Sequence, residues 1–242
     1  MIADLPGLFV TGTDTGVGKT WVAAAVARAL RAEGRRVGVL KPVATGVSHE
    51  DGVTRSEDAA ILIEAVGGGV PIERVVPLAF EAPLAPPVAA RLAGATLPHS
   101  QVREATRAAL SWWRGQADVV VVEGVGGLLC PLGEESTVAD LAVDLDYPLV
   151  IVARRGLGTL NHTLLTVEAA LRRGLRVAGI VLNGAASAET GLAERTNAEE
   201  LAKRLPGIAV LAEIPFDPSK ILVESVIGDV HWIIRANPPR LG

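Results

Sequence analysis

A glycine-rich segment close to the start of the chain carries residue types that bind phosphate groups. It runs from Gly12 to Gly18 after the apolar run Leu8 to Thr11, and Lys19 and Thr20 follow it directly. The alanine-rich stretch from Val22 onwards has the composition of a helix. A glycine turn between a strand and a helix aims backbone N–H groups and the positive end of the helix dipole at one point. A lysine there reaches β and γ phosphates and a threonine hydroxyl can ligate Mg²⁺, so the segment predicts ATP or GTP binding.

This loop is one residue longer than the common phosphate-loop pattern. Gly12 lies six residues before Gly18, whereas G-x-x-x-x-G-K-[ST] separates the two glycines by five. An ordinary glycine turn is the alternative, but the lysine and threonine that follow it would then be present by chance. Only four of the 23 Lys and Arg residues are lysines, and two of them, Lys19 and Lys41, lie at glycine- or proline-marked turns. We therefore favour a nucleotide site.

A second lysine and two carboxylates are candidates for the same site. Lys41 ends an apolar run, where a second ammonium group could neutralise an anionic substrate; a strand-end lysine that reaches solvent is an equal alternative. Glu123 follows Val119 to Val122 and can hold Mg²⁺ beside Thr20, whereas a surface or helix-capping glutamate is the alternative. Asp58 is a weaker metal candidate, because by itself it is typical of a helix N-terminus.

Two further loops are candidates for ligand binding. The segment Gly158 to Asn161 opens a predicted helix, and its free N–H groups suit a carboxylate. Thr159 could instead be a simple N-cap and His162 a packing residue. Asn183 ends another strand, where its amide can pair with a purine edge or form an ordinary Asn-Gly turn.

Six apolar runs alternate with four helical stretches. The runs are Leu8 to Thr11, Val37 to Leu40, Val119 to Val122, Leu149 to Val152, Val177 to Leu182 and Ile208 to Ile214. The helical stretches are Val22 to Ala32, Gln101 to Trp113, Leu160 to Arg173 and Glu194 to Leu205. Continuous apolar runs fit strands buried on both faces. The pattern predicts an α/β fold with a mostly parallel sheet and helices on both faces, similar to the P-loop NTPases, with functional loops at the carboxyl ends of the strands.

The composition predicts one globular domain over residues 1–242. Apolar residues make up 49% and charged residues 21%, and the net charge of −4 gives no broad reason to expect nucleic acid as a partner. The single cysteine, Cys130, cannot form an internal disulfide, and no apolar run approaches the length of a membrane span. We expect a soluble cytoplasmic protein without a membrane partner.

Two regions interrupt the alternation of strands and helices. The glycines and prolines within residues 67–98 predict a long connection with a short helix that starts near Pro87. The tail after Pro218 includes Ile221 to Val226 and His231 to Ile234, and it forms either a final packed element or a dimer contact. We favour packing.

Together these motifs resemble the dethiobiotin synthetases, the ligases of biotin biosynthesis. The matching segments are Gly12 to Thr20, Lys41 to Thr45, Glu123 to Gly127, Gly158 to His162, Asn183 and Glu213 to Phe216, within residues 8–217. The resemblance implies ATP- and Mg²⁺-dependent ring closure of 7,8-diaminononanoate with CO₂ or bicarbonate. The products would be dethiobiotin, ADP and phosphate, formed through a carbamate and a carbamic-phosphoric anhydride. It also implies a homodimer with the site at the interface.

The resemblance also implies roles for individual residues. Lys19 would bind phosphate and Lys41 would be catalytic, while Thr20, Asp58 and Glu123 would hold Mg²⁺ directly or through water. Nucleotide contacts would come from Thr15, Gly16, Val17, Gly18, Gly124, Val125 and Gly126 at the phosphates and from Asn183, Gly184, Pro215, Phe216 and Asp217 at the adenine. Substrate contacts would come from Thr45 at the nitrogen-bearing end and, across the dimer interface, from Gly158, Thr159, Leu160 and Asn161 at the carboxylate.

Two related classes of protein are alternatives. A partition or cell-division ATPase would carry a signature lysine where this chain has Asp14, together with a basic membrane helix at its end. An amidating ligase of the cobyrinic acid type would add a domain with a nucleophilic cysteine, but only Cys130 is present. The chain also departs from some dethiobiotin synthetases near Asn197, where they place a tyrosine that contacts the substrate tail.

Overall fold

A six-stranded parallel sheet forms the centre of the computed structural model, which describes residues 5–184, 191–216, 227–228 and 230–236. In chain order the strands are β1 (Gly7–Gly12), β2 (Val37–Leu40), β3 (Val43–Thr45), β4 (Ser48–Glu50), β5 (Val53–Arg55), β6 (Leu78–Phe80), β7 (Val119–Glu123), β8 (Leu149–Arg154), β9 (Val177–Asn183) and β10 (Val210–Ile214). The main sheet has the order β10-β9-β8-β1-β7-β2. Two small sheets pair β3 with β6 and β4 with β5.

Helices cover both faces of the main sheet, as the sequence predicted. They are α1 (Lys19–Ala32), α2 (Glu57–Ala65), α3 (Ile72–Val75), α4 (Pro86–Leu92), α5 (His99–Trp113), α6 (Val138–Leu145), α7 (Thr159–Arg172), α8 (Leu192–Arg204) and α9 (Trp232–Ala236). Residues of α1, α2 and α9 belong to one apolar core, and residues of α6, α7 and α8 belong to the other. The predicted α/β class is therefore confirmed.

The central strands show why their sequences are continuously apolar. In β7, Val119 and Val121 pack into one core while Val120 and Val122 pack into the other. Successive side chains of a strand point to opposite faces, so a strand covered on both faces needs an apolar residue at every position. Burial of each such side chain contributes about 1.5–3 kcal/mol. The result is a rigid support for the loops at the carboxyl edge.

The predicted connection between residues 67 and 98 contains more regular structure than expected. The short helix predicted near Pro87 is confirmed as α4, which has proline in its first turn. The segment also contains α3 and β6, and β6 pairs with β3. Both elements are only three or four residues long, too short to show a periodic pattern in the sequence.

Helix α6 was also missed, although its sequence holds a start signal. Thr137 and Asp140 form a reciprocal capping box, in which the Asp140 carboxylate accepts from the Thr137 backbone N–H at 2.7 Å. Burial tends to raise the pKa of Asp140, but the two hydrogen bonds from Thr137 outweigh it and lower the pKa. The spacing T-x-x-D before an apolar stretch could have located this helix.

The described part of the tail packs against the body of the protein, which confirms the interpretation favoured from the sequence. Trp232 is fully buried, and its indole N–H donates to the carbonyl of Ile227 at 2.8 Å. Its backbone N–H donates to Glu33 on α1 at 2.9 Å. The apolar stretch Ile221 to Val226 lies outside the described residues. Among the described helices, none has the length and apolar composition needed to cross a lipid bilayer.

Candidate active site

The phosphate loop leaves β1 at Gly12 and enters α1 at Lys19, as predicted. Gly18 caps the helix with a left-handed backbone, at φ 92°. A Cβ atom at this position would lie 2.1 Å from the Asn183 amide nitrogen. Gly18 is therefore required both by its backbone conformation and by the close approach of β9.

Lys19 is held inside the loop. Its ammonium donates to the backbone carbonyl of Asp14 at 2.9 Å, and only 7% of the residue is exposed. Burial lowers the pKa of Lys19; the negative charge of Glu123 opposes the shift and the positive charge of Lys41 adds to it. An anionic ligand would stabilise this ammonium group, because the negative charge of a phosphate would offset both the desolvation caused by burial and the repulsion from Lys41.

Lys41 lies at the same edge, directly after β2. Its ammonium donates to Glu123 Oε1 at 3.0 Å and forms a very short ion pair with Asp58. Lys41 is 5% exposed and Glu123 is 1% exposed. The alternative of a lysine that reaches solvent is therefore wrong: this lysine faces into the site.

The two carboxylates decide the charge of Lys41. Burial alone would lower the pKa of Lys41, but the combined attraction of Glu123 and Asp58 outweighs it and raises the pKa. Burial likewise tends to raise the pKa of Asp58, yet Lys41 outweighs it and the pKa falls. Lys41 therefore stays protonated and Asp58 stays ionised at neutral pH.

The Thr20 hydroxyl joins the same cluster. It lies 2.8 Å from Asp58 Oδ1 and 2.9 Å from Glu123 Oε1. Glu123 is therefore not a surface glutamate. Asp58 does lie in the first turn of α2, directly after the residue that follows the N-cap Ser56, but its carboxylate also contacts Thr20. Asp58 and Glu123 follow Thr20 by 38 and 103 positions, yet the three residues share one oxygen-rich corner.

This corner has the donor set that Mg²⁺ prefers. It offers a hydroxyl and two carboxylates, and Glu123 Oε2 is buried without a hydrogen-bond partner among the described residues. Magnesium is usually held by one or two carboxylates together with phosphate oxygens and water. Within the described ranges, no group of three or more His, Cys, Asp or Glu residues could hold a metal by itself. The residues present fit a metal that arrives with a nucleotide.

A cavity of about 490 Å³ opens over this corner. Fifteen of the predicted site residues line it: Thr15, Gly16, Gly18, Lys19, Thr20, Lys41, Thr45, Asp58, Glu123, Val125, Gly126, Asn183, Gly184, Pro215 and Phe216. The sequence did not single out Trp21, Glu57 and Ile61, which also line the cavity. Trp21 and Glu57 are sequence neighbours of Thr20 and Asp58, and Ile61 lies one helical turn after Asp58, so helical spacing could have found Ile61.

Other predicted residues do not line this cavity. Val17 is fully buried, and its carbonyl accepts from the Asn183 amide at 2.9 Å. A Cβ at Gly124 would lie 2.9 Å from Val138, so this glycine permits close packing. Asp217 lies outside the described residues.

The adenine-binding candidates lie together at the end of β9 and β10. Gly184 donates its backbone N–H to the carbonyl of Ile214 at 2.8 Å. A Cβ at Gly184 would lie 2.6 Å from the backbone nitrogen of Phe216. One N–H of the Asn183 amide is used to hold Val17, which leaves its carbonyl oxygen and other N–H for a ligand.

The loop at residues 158–161 begins α7, with left-handed Gly158 as the N-cap rather than Thr159. Thr159 is buried and its hydroxyl lies 3.4 Å from that of Thr163, whereas Leu160 is half-buried and Asn161 is exposed. These residues lie away from the cavity of their own chain.

A second cavity of about 460 Å³ adjoins the first and shares Thr15 and Gly126 with it. Leu129, Cys130 and Leu165 contribute to its wall. His162 also lines it and is exposed, so the packing role considered for this histidine is wrong.

A parallel sheet whose first strand runs through a glycine turn into a Gly-Lys-Thr helix start is the architecture of the P-loop NTPases. The chain matches a family model described as an AAA domain over residues 6–221. It is 48% identical over 224 residues to the ATP-dependent dethiobiotin synthetase BioD of Anaeromyxobacter dehalogenans strain 2CP-C, covering 93% of this chain and 96% of that protein. It is 41% identical over 214 residues to the protein of that name from Bacillus subtilis strain 168, covering 86% and 87%. The chain belongs to the family of ATP-dependent dethiobiotin synthetases.

Solved structures resemble this chain at the level of the fold. The septum site-determining protein MinD from Pyrococcus horikoshii OT3, complexed with Mg-ADP, has a TM-score of 0.51 at 16% identity, covering 97% of this chain and 89% of that chain. A ParA family ATPase from Chlorobium tepidum TLS has a TM-score of 0.51 at 18% identity, covering 96% and 92%. At such identities the likeness shows the fold alone.

Proposed function

We propose that this chain is an ATP-dependent cyclo-ligase that closes a ureido ring from 7,8-diaminononanoate and CO₂, yielding dethiobiotin, ADP and phosphate. Its family membership supports the activity. The observation that carries the mechanism is the buried Lys41 ammonium, which lies against Glu123 and Asp58 beside the phosphate loop. The ammonium groups of Lys19 and Lys41 thus line one cavity, and positive charge is what stabilises transfer between two anionic groups. Because the reaction consumes ATP, we also propose a cytoplasmic location.

The reaction places negative charge on two partners at once. One amine of the diamine traps CO₂ as a carbamate, whose oxygen attacks the γ-phosphate of ATP and displaces ADP to form a mixed anhydride. The second amine then attacks the mixed anhydride, closes the ring and expels phosphate. Phosphoryl transfer depends mainly on positioning and electrostatic stabilisation. Lys19 and Lys41 both line the cavity and would supply positive charge to these groups, and the reaction requires no nucleophile from the protein.

Mg²⁺ would supply further charge neutralisation at the phosphates. We assign Thr20, Asp58 and Glu123 to it, either as direct ligands or through water. Their oxygens already converge within hydrogen-bond distance, and the unpartnered Glu123 Oε2 supports a role for a cation there. Lys41 competes for the same carboxylates, so it would turn towards the carbamate when the metal is bound.

The shape of the site supports a division of the ligands. We propose that the adenine lies against Asn183, Gly184, Pro215 and Phe216, and that the amines lie near Thr45. The second cavity adjoins the phosphate loop at Thr15 and has an apolar wall, which suits an aliphatic chain.

We further propose a homodimer in which the partner provides the loop at 158–161 for the substrate carboxylate. Leu157 is 95% exposed beside that loop, and Leu129 and Leu165 are about half exposed at the second cavity. A contiguous patch of exposed apolar side chains is typical of a surface covered by another chain.

The test is a phosphate-release assay with the purified protein. We expect phosphate only when ATP, Mg²⁺, bicarbonate and diaminononanoate are all present, and dethiobiotin in equal amount by mass spectrometry. ATP turnover that is indifferent to the diamine would reject the ligase and favour a nucleotide-driven switch.

A further inference from the structure

Two neighbouring residues at the carboxyl ends of β8 and β9 each hold one half of the phosphate loop. Arg154 on β8 and Asn183 on β9 are partners in the strand register. The Arg154 guanidinium donates to the carbonyl of Thr15 at 3.1 Å and lies 3.3 Å from the Asp14 carboxylate. The Asn183 amide donates to the carbonyl of Val17 at 2.9 Å. Each half of the loop is therefore tied to one strand end.

The strand lengths explain why β8 can reach the loop. Gly12 is the last residue of β1 and pairs with Val152, whereas β8 continues for two residues to Arg154. The backbone N–H of Thr13 donates to the Val152 carbonyl at 3.0 Å. The loop as a whole is one residue longer than the common pattern. Its first half lies along the projecting end of β8.

Asp14 places a negative charge in the loop. Its Oδ1 accepts from the Thr15 backbone N–H at 2.7 Å, and its carbonyl accepts from the Lys19 ammonium at 2.9 Å. The carboxylate therefore fixes the loop, but it also places a negative charge beside the position where a triphosphate and a carbamate must bind. Arg154 lies 3.3 Å from this carboxylate.

The ion pair itself contributes little to folding. Side chains of Arg154 and Asp14 are 52% and 54% exposed, and exposed pairs are weak and screened by salt. Its effect is on the placement and charge of the loop.

We propose that Arg154 is a positioning residue for nucleotide binding, acting through Asp14 and Thr15. It neutralises the Asp14 carboxylate and holds the Thr15 carbonyl away from the ligand, so that the loop is ordered before the phosphates arrive. The proposal rests on the proposed function only in requiring that ATP phosphates bind this loop.

A double-mutant cycle between Arg154 and Asp14 tests this. The dissociation constant of the Mg²⁺ complex of AMPPNP, a non-hydrolysable ATP analogue, is measured by calorimetry for wild type, R154A, D14N and the double variant. We expect R154A to raise it on the order of 10-fold in the wild-type background but about 2-fold or less in the D14N background, because the uncompensated charge is then absent. R154K should recover part of the loss, since an ammonium supplies charge without the planar fork.

Thermal unfolding and kinetics separate a positioning role of Arg154 from a loss of fold stability. The melting temperature of R154A should match that of the control R172A, which removes an exposed arginine paired with Glu168 on α7. The KM for ATP should rise more than kcat falls. The proposal is overturned if R154A leaves the dissociation constant unchanged or if the loss follows a lowered melting temperature. It is also overturned if R154A weakens binding equally in the wild-type and D14N backgrounds, because Arg154 then does not act through the Asp14 charge. Absence of diamine-dependent turnover in the wild type would instead reject the proposed ligase activity. The double-mutant cycle could still be interpreted, because it measures nucleotide binding and not turnover.

Discussion

The Lys41 ammonium lies 3.0 Å from Glu123 Oε1, and both residues are almost completely buried. They stand 82 positions apart in the chain, at the ends of the neighbouring strands β2 and β7. A buried charge is tolerated only when it is paired, so Glu123 depends on Lys41, while Lys41 also has Asp58 as a partner. A ligand that neutralises the carboxylate would free the ammonium for an anionic substrate.

Replacing Lys41 should remove turnover and spare nucleotide binding. Lys41→Met keeps the apolar stem and deletes the charge that would stabilise the carbamate and the transferred phosphoryl group. We expect kcat for diamine-dependent phosphate release to fall on the order of 100-fold. The affinity for AMPPNP, measured by calorimetry, should change by less than about 5-fold, since Lys19 and the loop remain.

The matched control for this variant is Lys203→Met, which removes an exposed lysine paired with Glu199 and Glu200 on α8. Circular dichroism checks that both variants fold, and Lys41→Arg provides a variant that keeps the charge. Full activity of Lys41→Met would remove Lys41 from the mechanism.

Replacing Glu123 should weaken the binding of Mg²⁺. Glu123→Gln keeps the shape but removes the charge of the carboxylate whose Oε2 has no partner in the described part of the chain. We expect the Mg²⁺ concentration for half-maximal activity to rise on the order of 10-fold. Glu134→Gln, which alters an exposed glutamate paired with Arg91, serves as the control. An unchanged Mg²⁺ titration curve would argue against a metal at this corner.

A methyl group at Gly18 should disrupt the phosphate loop. Gly68 offers a matched comparison, since both glycines have positive φ but only Gly18 lacks space for a Cβ. We expect Gly68→Ala to lower the free energy of unfolding by about 1–2 kcal/mol. Gly18→Ala should cost about 1 kcal/mol more, because Asn183 must release the Val17 carbonyl. Urea unfolding measures both, and AMPPNP binding should weaken only for Gly18→Ala.

The acid stability of the protein should depend partly on Asp118. Hydrogen bonds from the Arg36 side chain and backbone lower the pKa of Asp118 from 3.8 to about 2. Since the folded-state pKa is depressed, the stabilisation is complete above the unfolded value and is lost as pH falls towards 2. The difference in unfolding free energy between wild type and Asp118→Asn should therefore be constant near neutral pH and shrink between about pH 4 and pH 2. Parallel pH curves for the two proteins would contradict this.

The sequence by itself determined the strand, loop and helix that bind phosphate and the alternation that makes the fold. Glycines, the Gly18-Lys19-Thr20 run and continuous apolar strands are local signals, because backbone freedom and burial on two faces restrict residue type at each position. The order of these motifs also sufficed to recognise the family. Short elements such as α3 and β6 were missed, since three or four residues carry too little periodicity.

Only the tertiary structure decided how the side chains of the site contact one another and in what charge state. Asp58 had the pattern of a helix start, and nothing local showed that its carboxylate meets Thr20 and Lys41. Arg154 carried no motif at all, and its contact with Asp14 joins residues 140 positions apart. Such contacts depend on strand order and register, which local sequence does not encode, and the burial they create sets the charges on which binding and catalysis depend.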